Sequence, residues 1–88
     1  MRVEFRRRFL KELSNIPAFQ RKVIEQFVFE ELPKLRSLDE SGNVERMKGY
    51  PGFFKVRFGN YRVGLSLGDN AVVLERVLHR KEIYRYFP

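Results

Sequence analysis

The segment 53–63 constrains the fold of this chain more than any other, because its residues have the pattern of a tight β-hairpin. Gly59 and Asn60 form a two-residue turn signal, and aromatic and β-branched residues alternate on both sides of it. A turn there predicts two antiparallel strands in one register. The facing pairs are Phe58 and Tyr61, Arg57 and Arg62, Val56 and Val63, and Lys55 and Gly64.

The alternation along these strands predicts one apolar face and one basic face. The basic face carries Lys55, Arg57 and Arg62, and Gly64 is expected to leave open space beside Lys55 for a backbone or a substrate. Like charges that face each other destabilise a sheet, so this arrangement favours an anionic ligand. Clustered arginines and lysine suit phosphate groups, which indicates nucleic acid. The apolar face is predicted to be core and comprises Phe54, Val56, Phe58, Tyr61, Val63 and Leu65.

Length and composition limit the other possibilities. The 88 residues suffice for one small domain, 1–88, with a single core. The chain has no cysteine and one histidine, His79, so we expect no disulfide framework, no zinc site and no cofactor. The N-terminus is charged where a signal peptide is apolar, and no apolar stretch is long enough for a membrane span. We therefore expect a cytoplasmic protein without a membrane partner.

The positive charge is concentrated in the second half of the chain. Residues 1–47 contain ten Lys/Arg and eight Asp/Glu, whereas residues 48–88 contain eight and three, which leaves +2 and +5 of the total of +7. The signs are interleaved in the first half, as on solvated helix faces. The field that could attract nucleic acid is therefore expected around the hairpin.

The remaining pattern predicts an α+β fold with the element order β-α-α-β-β-β. Residues 2–5 alternate as a short strand, a first helix ends before Pro17, and a second begins at Pro17 and ends at Pro33. Residues 33–52 are predicted to be a loop with at most one helical turn. Three strands follow, at 53–58, 61–67 and 71–78. We expect a helical hairpin packed on one face of a mainly antiparallel four-stranded sheet.

The C-terminal segment 80–87 is predicted to form a helical turn. In such a turn Arg80 and Tyr84 share one face, while Ile83 and Phe87 share another that can dock on the sheet. An arginine and a tyrosine would then stand together at the end of the sheet. The helix aromatics are expected in the core, namely Phe9, Phe19 and Phe27.

Three motifs together resemble a known family. Phe-Lys-Val-Arg at 54–57, Gly-Asn-Tyr-Arg-Val at 59–63 and His-Arg-Lys-Glu-Ile-Tyr at 79–84 resemble the RelE/ParE superfamily of type II toxin–antitoxin toxins, on its RelE-like side. The resemblance covers essentially the whole chain. It implies an enzyme, a ribosome-dependent endoribonuclease that cleaves messenger RNA by attack of the ribose 2′-hydroxyl on the adjacent phosphate. It also implies a cognate antitoxin as partner.

The resemblance assigns five candidate catalytic residues: Lys55, Arg57, Arg62, Arg80 and Tyr84. Lys55 is the first candidate for the base, since neighbouring arginines are expected to lower its pKa. Arg57 replaces the lysine of well-known members, and an arginine stays protonated. Arg57 and Arg62 would hold the phosphate, and Arg80 would lie near the leaving 5′-oxygen. Tyr84 would stack on a nucleobase.

The same residues allow plainer interpretations. The basic face could be an ordinary solvated sheet surface, Tyr84 could be core, and Arg80 could pair with Glu75 or Glu82. His79 is a possible base, but in an extended strand it points away from Arg80, which favours a structural role. Two carboxylates could act as bases only if their segments fold inward, namely Glu45 and Glu82.

Two other functions compete with the nuclease. A ParE-like poison of DNA gyrase shares the fold and the Tyr61-Arg62 type of strand but does not need the other basic and aromatic candidates. Retention of that set favours the nuclease. A toxin relic or a plain RNA-binding module would keep the basic face and lack catalysis.

Overall fold

The computed structural model describes all residues, 1–88. Its five strands form one sheet in the order β1-β5-β4-β3-β2, in which only β1 and β5 are parallel neighbours. The predicted α+β fold is confirmed, but the sheet has five strands, not four. No helix is long and apolar enough to cross a membrane. The elements are β1 (Val3–Phe5), α1 (Arg7–Ser14), α2 (Ala18–Glu25), β2 (Val44–Arg46), β3 (Phe53–Phe58), β4 (Tyr61–Leu67), β5 (Val72–His79) and α3 (Ile83–Tyr86).

The β3–β4 hairpin has the predicted register. All four facing pairs that the turn predicts are present, including Arg57 opposite Arg62. Gly59 has a φ of 58°, a left-handed conformation that glycine adopts without a steric cost. One face of the hairpin is buried under α1 and α2, through Phe54, Val56, Val63 and Leu65. The basic face is left open on the other side of the sheet.

The fifth strand lies in the segment 33–52, for which the sequence predicts a loop. Val44–Arg46 pairs antiparallel with β3 and places Glu45 opposite Lys55. Three residues are too few for an alternating pattern to stand out between turn clusters. The strand exists because β3 offers an edge with unpaired backbone groups, which is a non-local cause. A short 3-10 turn at Leu38–Glu40 accounts for the expected helical turn.

The second helix continues past Pro33. A π-helical segment, Gln26–Glu31, and a 3-10 turn, Leu32–Lys34, extend α2 to Lys34. Pro33 lies within the first positions of that 3-10 turn, where its missing N–H leaves no helical hydrogen bond unmade. At the other end Pro17 precedes α2 instead of opening it.

The prediction that Phe19 belongs to the core is wrong, whereas Phe9 and Phe27 are buried as expected. Phe19 is 81% exposed. At about 100° per residue, Phe19 lies roughly 140° around the helix axis from Ile24, the centre of the buried stripe. Its position in the first turn of α2 therefore directs its side chain away from the sheet.

Helix α1 covers the edge of β5 that β1 leaves free. β1 pairs only with Val72–Leu74, so the next residues of β5 lack a neighbouring strand. There the Glu12 carboxylate accepts a hydrogen bond from the Val77 N–H (3.2 Å) and from the Arg76 guanidinium (3.0 and 3.1 Å from Nε). A side chain thus replaces a strand as the hydrogen-bond partner at this edge.

Candidate functional site

A small cavity of about 60 Å³ opens on the sheet face opposite α1 and α2. We call it the basic cleft. Four elements line it: β2, β3, β4 and α3, through Glu45, Lys55, Arg57, Arg62 and Tyr84. Four of the five residues predicted from the sequence are therefore brought together, and Arg80 is not among them.

Lys55 is held at the centre of the basic cleft. Its Nζ donates a hydrogen bond to the Tyr84 hydroxyl at 2.5 Å and lies 4.8 Å from the centroid of the Tyr84 ring. Glu45 Oε2 lies 4.0 Å from the same nitrogen, across the β2–β3 pair. The side chain is 25% exposed, so a bound molecule can reach it. Tyr84 itself is 60% exposed, which excludes the core interpretation for this residue.

The two arginines of the hairpin differ in how they are fixed. Arg62 Nη1 donates to the carbonyl oxygens of Gly59 (2.7 Å) and Tyr61 (2.9 Å), so its guanidinium is folded over the turn. Arg57 is exposed and faces Arg62 across the strand pair. Neither has a carboxylate partner within 4 Å. Their remaining N–H groups are free to bind an anion.

Arg80 lies outside the basic cleft, in the turn that follows β5. Its backbone N–H donates to the Asn60 carbonyl oxygen at 2.7 Å, which ties the turn to the tip of the hairpin. Because α3 begins only at Ile83, Arg80 and Tyr84 do not share a helical face as predicted. No ion pair joins Arg80 to Glu75 or Glu82. Its exposed side chain is unpaired.

His79 lies on the helix side of the sheet. Its ring meets that of Tyr61 edge-on, with centroids 5.7 Å apart, and its Nδ1 accepts a hydrogen bond from the Lys81 N–H at 3.2 Å. It borders a different depression, beside α1, together with Glu12. The histidine therefore faces away from the cleft and anchors the strand end.

The expected open space beside Gly64 is filled. A Cβ at Gly64 would lie 2.7 Å from the Phe87 ring, so this ring rests directly on the glycine backbone. Phe87 and Ile83 are both buried, which confirms that α3 docks through these two residues. Tyr84 follows Ile83 in the same helical turn and is exposed. The Gly64–Phe87 contact thus holds the helix that places Tyr84 against Lys55.

The sequence of residues 3–84 matches the family model described as ParE toxin of type II toxin-antitoxin system, parDE. The chain is also 38% identical to Toxin RelE3 of Methanocaldococcus jannaschii over 89 residues, which covers 100% of both chains. The chain belongs to the RelE/ParE superfamily of toxins. Both matches extend from β1 into α3, so they include all the strands and the helix that line the basic cleft.

Solved structures support the assignment of this chain to the RelE/ParE superfamily. The RelB–RelE antitoxin–toxin complex from Methanococcus jannaschii contains a chain with 36% identity and a TM-score of 0.80, covering 97% of this toxin and 99% of that chain. The toxin–antitoxin complex RelBE2 from Mycobacterium tuberculosis gives 26% identity and a TM-score of 0.69, covering 90% and 96%. The protein is therefore a RelE-like toxin of a type II toxin–antitoxin system.

Glu45 is the cleft residue of this toxin that sequence reasoning undervalues. The sequence predicts a role for Glu45 only if segment 33–52 folds inward. In the structure, β2 belongs to that segment and places Glu45 opposite Lys55. The only local signal is the sequence Val44-Glu45-Arg46 directly after the Ser-Gly-Asn turn at 41–43. Glu82, the other carboxylate considered, is exposed just before α3 and does not line the cleft.

The basic cleft of the toxin offers cations without enough carboxylates to neutralise them. Three cationic side chains face one carboxylate, Glu45. No three His, Asp or Glu side chains are grouped so that they could hold a metal ion. The chemistry that the cleft can supply is binding of a phosphate by guanidinium groups and proton transfer by lysine or carboxylate.

Proposed function

We propose that this toxin is a metal-independent, ribosome-dependent endoribonuclease that cleaves messenger RNA and so inhibits translation. The observation that carries the proposal is the basic cleft, where a fixed lysine, two arginines without carboxylate partners and an exposed tyrosine meet. These groups match the needs of phosphodiester cleavage, namely proton transfer, charge stabilisation and orientation of a base. The RelE names of its relatives support the same assignment.

In the proposed reaction the ribose 2′-oxygen attacks the adjacent phosphorus while the bond from phosphorus to the 5′-oxygen breaks. The leaving 5′-oxygen takes up a proton from solvent water, so the products are a cyclic phosphate and a 5′-hydroxyl. Lys55, in its neutral form, accepts the 2′-hydroxyl proton, and Glu45 is the second candidate acceptor because it lies beside Lys55. Arg57 and Arg62 stabilise the negative charge on the phosphate oxygens. Tyr84 stacks on a base of the substrate.

Arg80 can lie near the leaving 5′-oxygen, as proposed, only if bound RNA extends to the end of β5. Its guanidinium is unpaired and lies at the same end of the sheet as the hairpin turn. An RNA strand leaving the basic cleft toward that turn would pass it. Arg80→Ala should then reduce cleavage as Arg62→Ala does, and an unimpaired Arg80→Ala variant would remove this residue from the site.

The proposed dependence on the ribosome follows from the shape of the site. The basic cleft is small, so it cannot by itself fix a flexible RNA in an attack geometry. Positioning accounts for a large part of many rate enhancements. The purified toxin should therefore barely cleave free RNA and cut a message that is held on a ribosome.

The test is toeprinting of messenger RNA on programmed ribosomes. Wild type should produce defined cuts, and Arg62→Ala should cut on the order of a hundredfold more slowly, the usual cost of losing a charge-stabilising donor. Its circular dichroism spectrum should be unchanged, since the Arg62 side chain bonds only to the hairpin turn. A fully active Arg62→Ala variant, or vigorous cleavage of naked RNA by wild type, would contradict the proposal.

A second candidate function is inhibition of DNA gyrase without nuclease activity. The matching family model is described by the ParE name, which favours this alternative. A supercoiling assay run beside the toeprinting assay separates the two. Gyrase inhibition without RNA cleavage would establish the ParE-like function. RNA binding without either activity would indicate a toxin that has lost catalysis.

We further propose that a cognate antitoxin masks the basic cleft. The two solved relatives described above are toxin–antitoxin complexes, and an uncompensated basic cleft suits an acidic segment of a partner. A small neighbouring gene whose product abolishes toxicity and protects the cleft arginines from chemical modification would support this. Neutralisation without such protection would place the partner elsewhere.

A further inference from the structure

The loop between β2 and β3 borders the most spacious groove on the molecule, about 370 Å³ in volume. One continuous run of the chain lines it, residues 46–53. We call it the loop groove. Its lining includes two cations and two aromatic residues but no carboxylate. In the charge of its lining it resembles the basic cleft, although different residues form it.

The loop groove lies along the same β2–β3 strand pair as the basic cleft but shares no lining residue with it. Glu45 and Lys55 face each other in the cleft, and the next hydrogen bond along the ladder joins the Met47 N–H to the Phe53 carbonyl oxygen at 2.9 Å. The loop closes directly beyond that bond. Two residues of a strand span about 7 Å, so the groove begins that far from the Glu45–Lys55 pair. A polymer bound in the cleft can extend into it.

Tyr50 is the aromatic residue that the loop groove leaves exposed, at 53%. Its backbone is fixed although its ring is open, because its N–H donates to the Met47 carbonyl oxygen and its own carbonyl accepts from the Phe53 N–H, both at 3.1 Å. Gly49 and Gly52, with φ near +84° and +83°, permit the two reversals on either side. An aromatic ring on a fixed loop is a preorganised stacking surface.

Of the two cations of the loop groove, Lys48 is the one available to a ligand. Lys48 is exposed and has no carboxylate within 4 Å. Arg46 pairs with Asp39 at 3.6 Å, and its guanidinium carbon lies 5.4 Å from the centroid of the buried Phe54 ring, which directs this side chain to the apolar side of the sheet. Cations next to an open aromatic ring are the combination that binds single-stranded nucleic acid by backbone contacts and base stacking.

We propose that the loop groove is a further nucleotide subsite, in which Tyr50 stacks on the base that follows the two nucleotides flanking the scissile bond in the basic cleft and Lys48 contacts the phosphate of that base. The ligand class, single-stranded RNA, rests on the proposed function. The subsite lengthens the bound segment on one side of the scissile bond. It therefore affects affinity and substrate position and leaves proton transfer to the cleft.

The test compares two oligonucleotides that cannot be cleaved because their 2′-oxygens are methylated. A dinucleotide fills only the basic cleft, whereas a hexanucleotide reaches the loop groove. Tyr50→Ala should weaken hexanucleotide binding about 5- to 100-fold, the range for one stacked base, and leave dinucleotide binding unchanged. Tyr50→Phe should restore the affinity, because stacking needs the ring and not the hydroxyl. Lys48→Ala should reduce the salt dependence of hexanucleotide binding by about 0.7 in the log–log slope.

Phe19→Ala is the matched control, since Phe19 is an exposed aromatic residue that does not line either site. Cleavage on programmed ribosomes gives an independent readout, in which Tyr50→Ala should raise KM while kcat is retained. If wild type cleaves on ribosomes and Tyr50→Ala and Lys48→Ala equal wild type in both assays, the subsite proposal is contradicted. The proposed nuclease function is then retained. If wild type neither cleaves nor binds the oligonucleotides, the proposed function fails with it.

Discussion

Two groups of arginines in this toxin differ in their partners. At the edge of the sheet beside α1, Arg6 and Arg76 each bind a carboxylate, from Glu75 and Glu12 respectively. In the basic cleft, the arginines bind backbone carbonyl oxygens or nothing. The paired arginines stabilise the fold, whereas the cleft arginines are available to bind a ligand.

The paired group shows what a structural arginine looks like here. Arg76 and Glu12 are only 14% and 19% exposed, and two guanidinium nitrogens reach the carboxylate. The hydrogen bonds that Arg76 donates to the Glu12 carboxylate raise the pKa of Arg76, against the opposing effect of burial. Glu12 also accepts the Val77 N–H, so one carboxylate joins α1 to β5.

The unpaired group has the opposite character. Arg57 faces Arg62 across two paired strands, a like-charge arrangement that destabilises a sheet and that the chain does not neutralise with a second carboxylate. The comparison shows that charge density alone does not identify a functional arginine, because the N-terminal half is also rich in arginine. Two arginines that face each other beside a cavity without a carboxylate partner are the more specific sign.

The largest effect should come from removing the proposed base of the cleft. Lys55→Ala should lower single-turnover cleavage on ribosomes by roughly a hundredfold or more, a barrier increase of about 2.7 kcal/mol. His79→Gln should lose little, because the histidine packs on Tyr61 on the other face. An inactive His79→Gln beside an active Lys55→Ala would reverse the assignment. An inactive Glu45→Gln variant together with an active Lys55→Ala variant would indicate that the Glu45 carboxylate is the proton acceptor.

The next effect tests the paired group. Glu12→Ala should lower the free energy of unfolding by about 1–3 kcal/mol, because it leaves the Arg76 guanidinium and the Val77 N–H without their partner. Arg57→Ala should change it by no more than about 0.5 kcal/mol, since its exposed side chain has no partner. Urea denaturation measures both. Equal losses in the two variants would erase the distinction between the groups.

A third effect concerns the contact that joins fold and cleft. Gly64→Ala places a methyl group 2.7 Å from the Phe87 ring, so α3 must shift, at a cost of about 1–3 kcal/mol in unfolding free energy. Cleavage should fall as well, because Tyr84 moves away from Lys55. Gly42→Ala is the control, since nothing lies within 4 Å of its added Cβ.

A smaller partner should rescue the crowded site. Adding Phe87→Leu to Gly64→Ala removes part of the ring volume and should recover cleavage relative to Gly64→Ala alone. Unchanged stability and activity in Gly64→Ala would mean that the ring relocates freely and that this contact does not position Tyr84.

The hairpin and its basic face can be predicted because their causes are local. A two-residue glycine turn sets the register, and alternation then assigns each side chain to a face. The docking of Ile83 and Phe87 follows in the same way from helical spacing. These local rules alone suffice to place Lys55, Arg57 and Arg62 together.

The incorrect predictions have two kinds of cause. Some depend on contacts between segments that are distant in the sequence, and others depend on where a side chain points around a helix axis or on where a helix begins. β2 is formed by an available edge of β3, and with it Glu45 enters the cleft. Phe87 lies 23 positions after the glycine that it covers, and no pattern in either segment indicates the contact. The core prediction for Phe19 fails because apolar spacing alone ignores the angle of this residue around the helix axis. The prediction that Arg80 and Tyr84 share a helical face fails because α3 begins only at Ile83.

The smallest effect lies in the pH dependence of stability at the paired edge. Burial by itself would raise the pKa of the Glu75 carboxyl, but hydrogen bonds from Ser66 (2.7 Å) and Arg6 (3.1 Å) and the nearby positive charge lower it below its ordinary value. A carboxyl whose pKa is lower in the folded state contributes stability above its unfolded pKa, near 4.3, and loses that contribution as the pH falls through the folded value. The advantage of wild type over Glu75→Gln in unfolding free energy should therefore be greater at pH 7 than at pH 3. Because Arg6 is mostly exposed, the difference should be well below that of Glu12→Ala. Glu31→Gln is the control at an exposed, unpaired position, and an advantage that is the same at both pH values would show that Glu75 stabilises this edge without its charge.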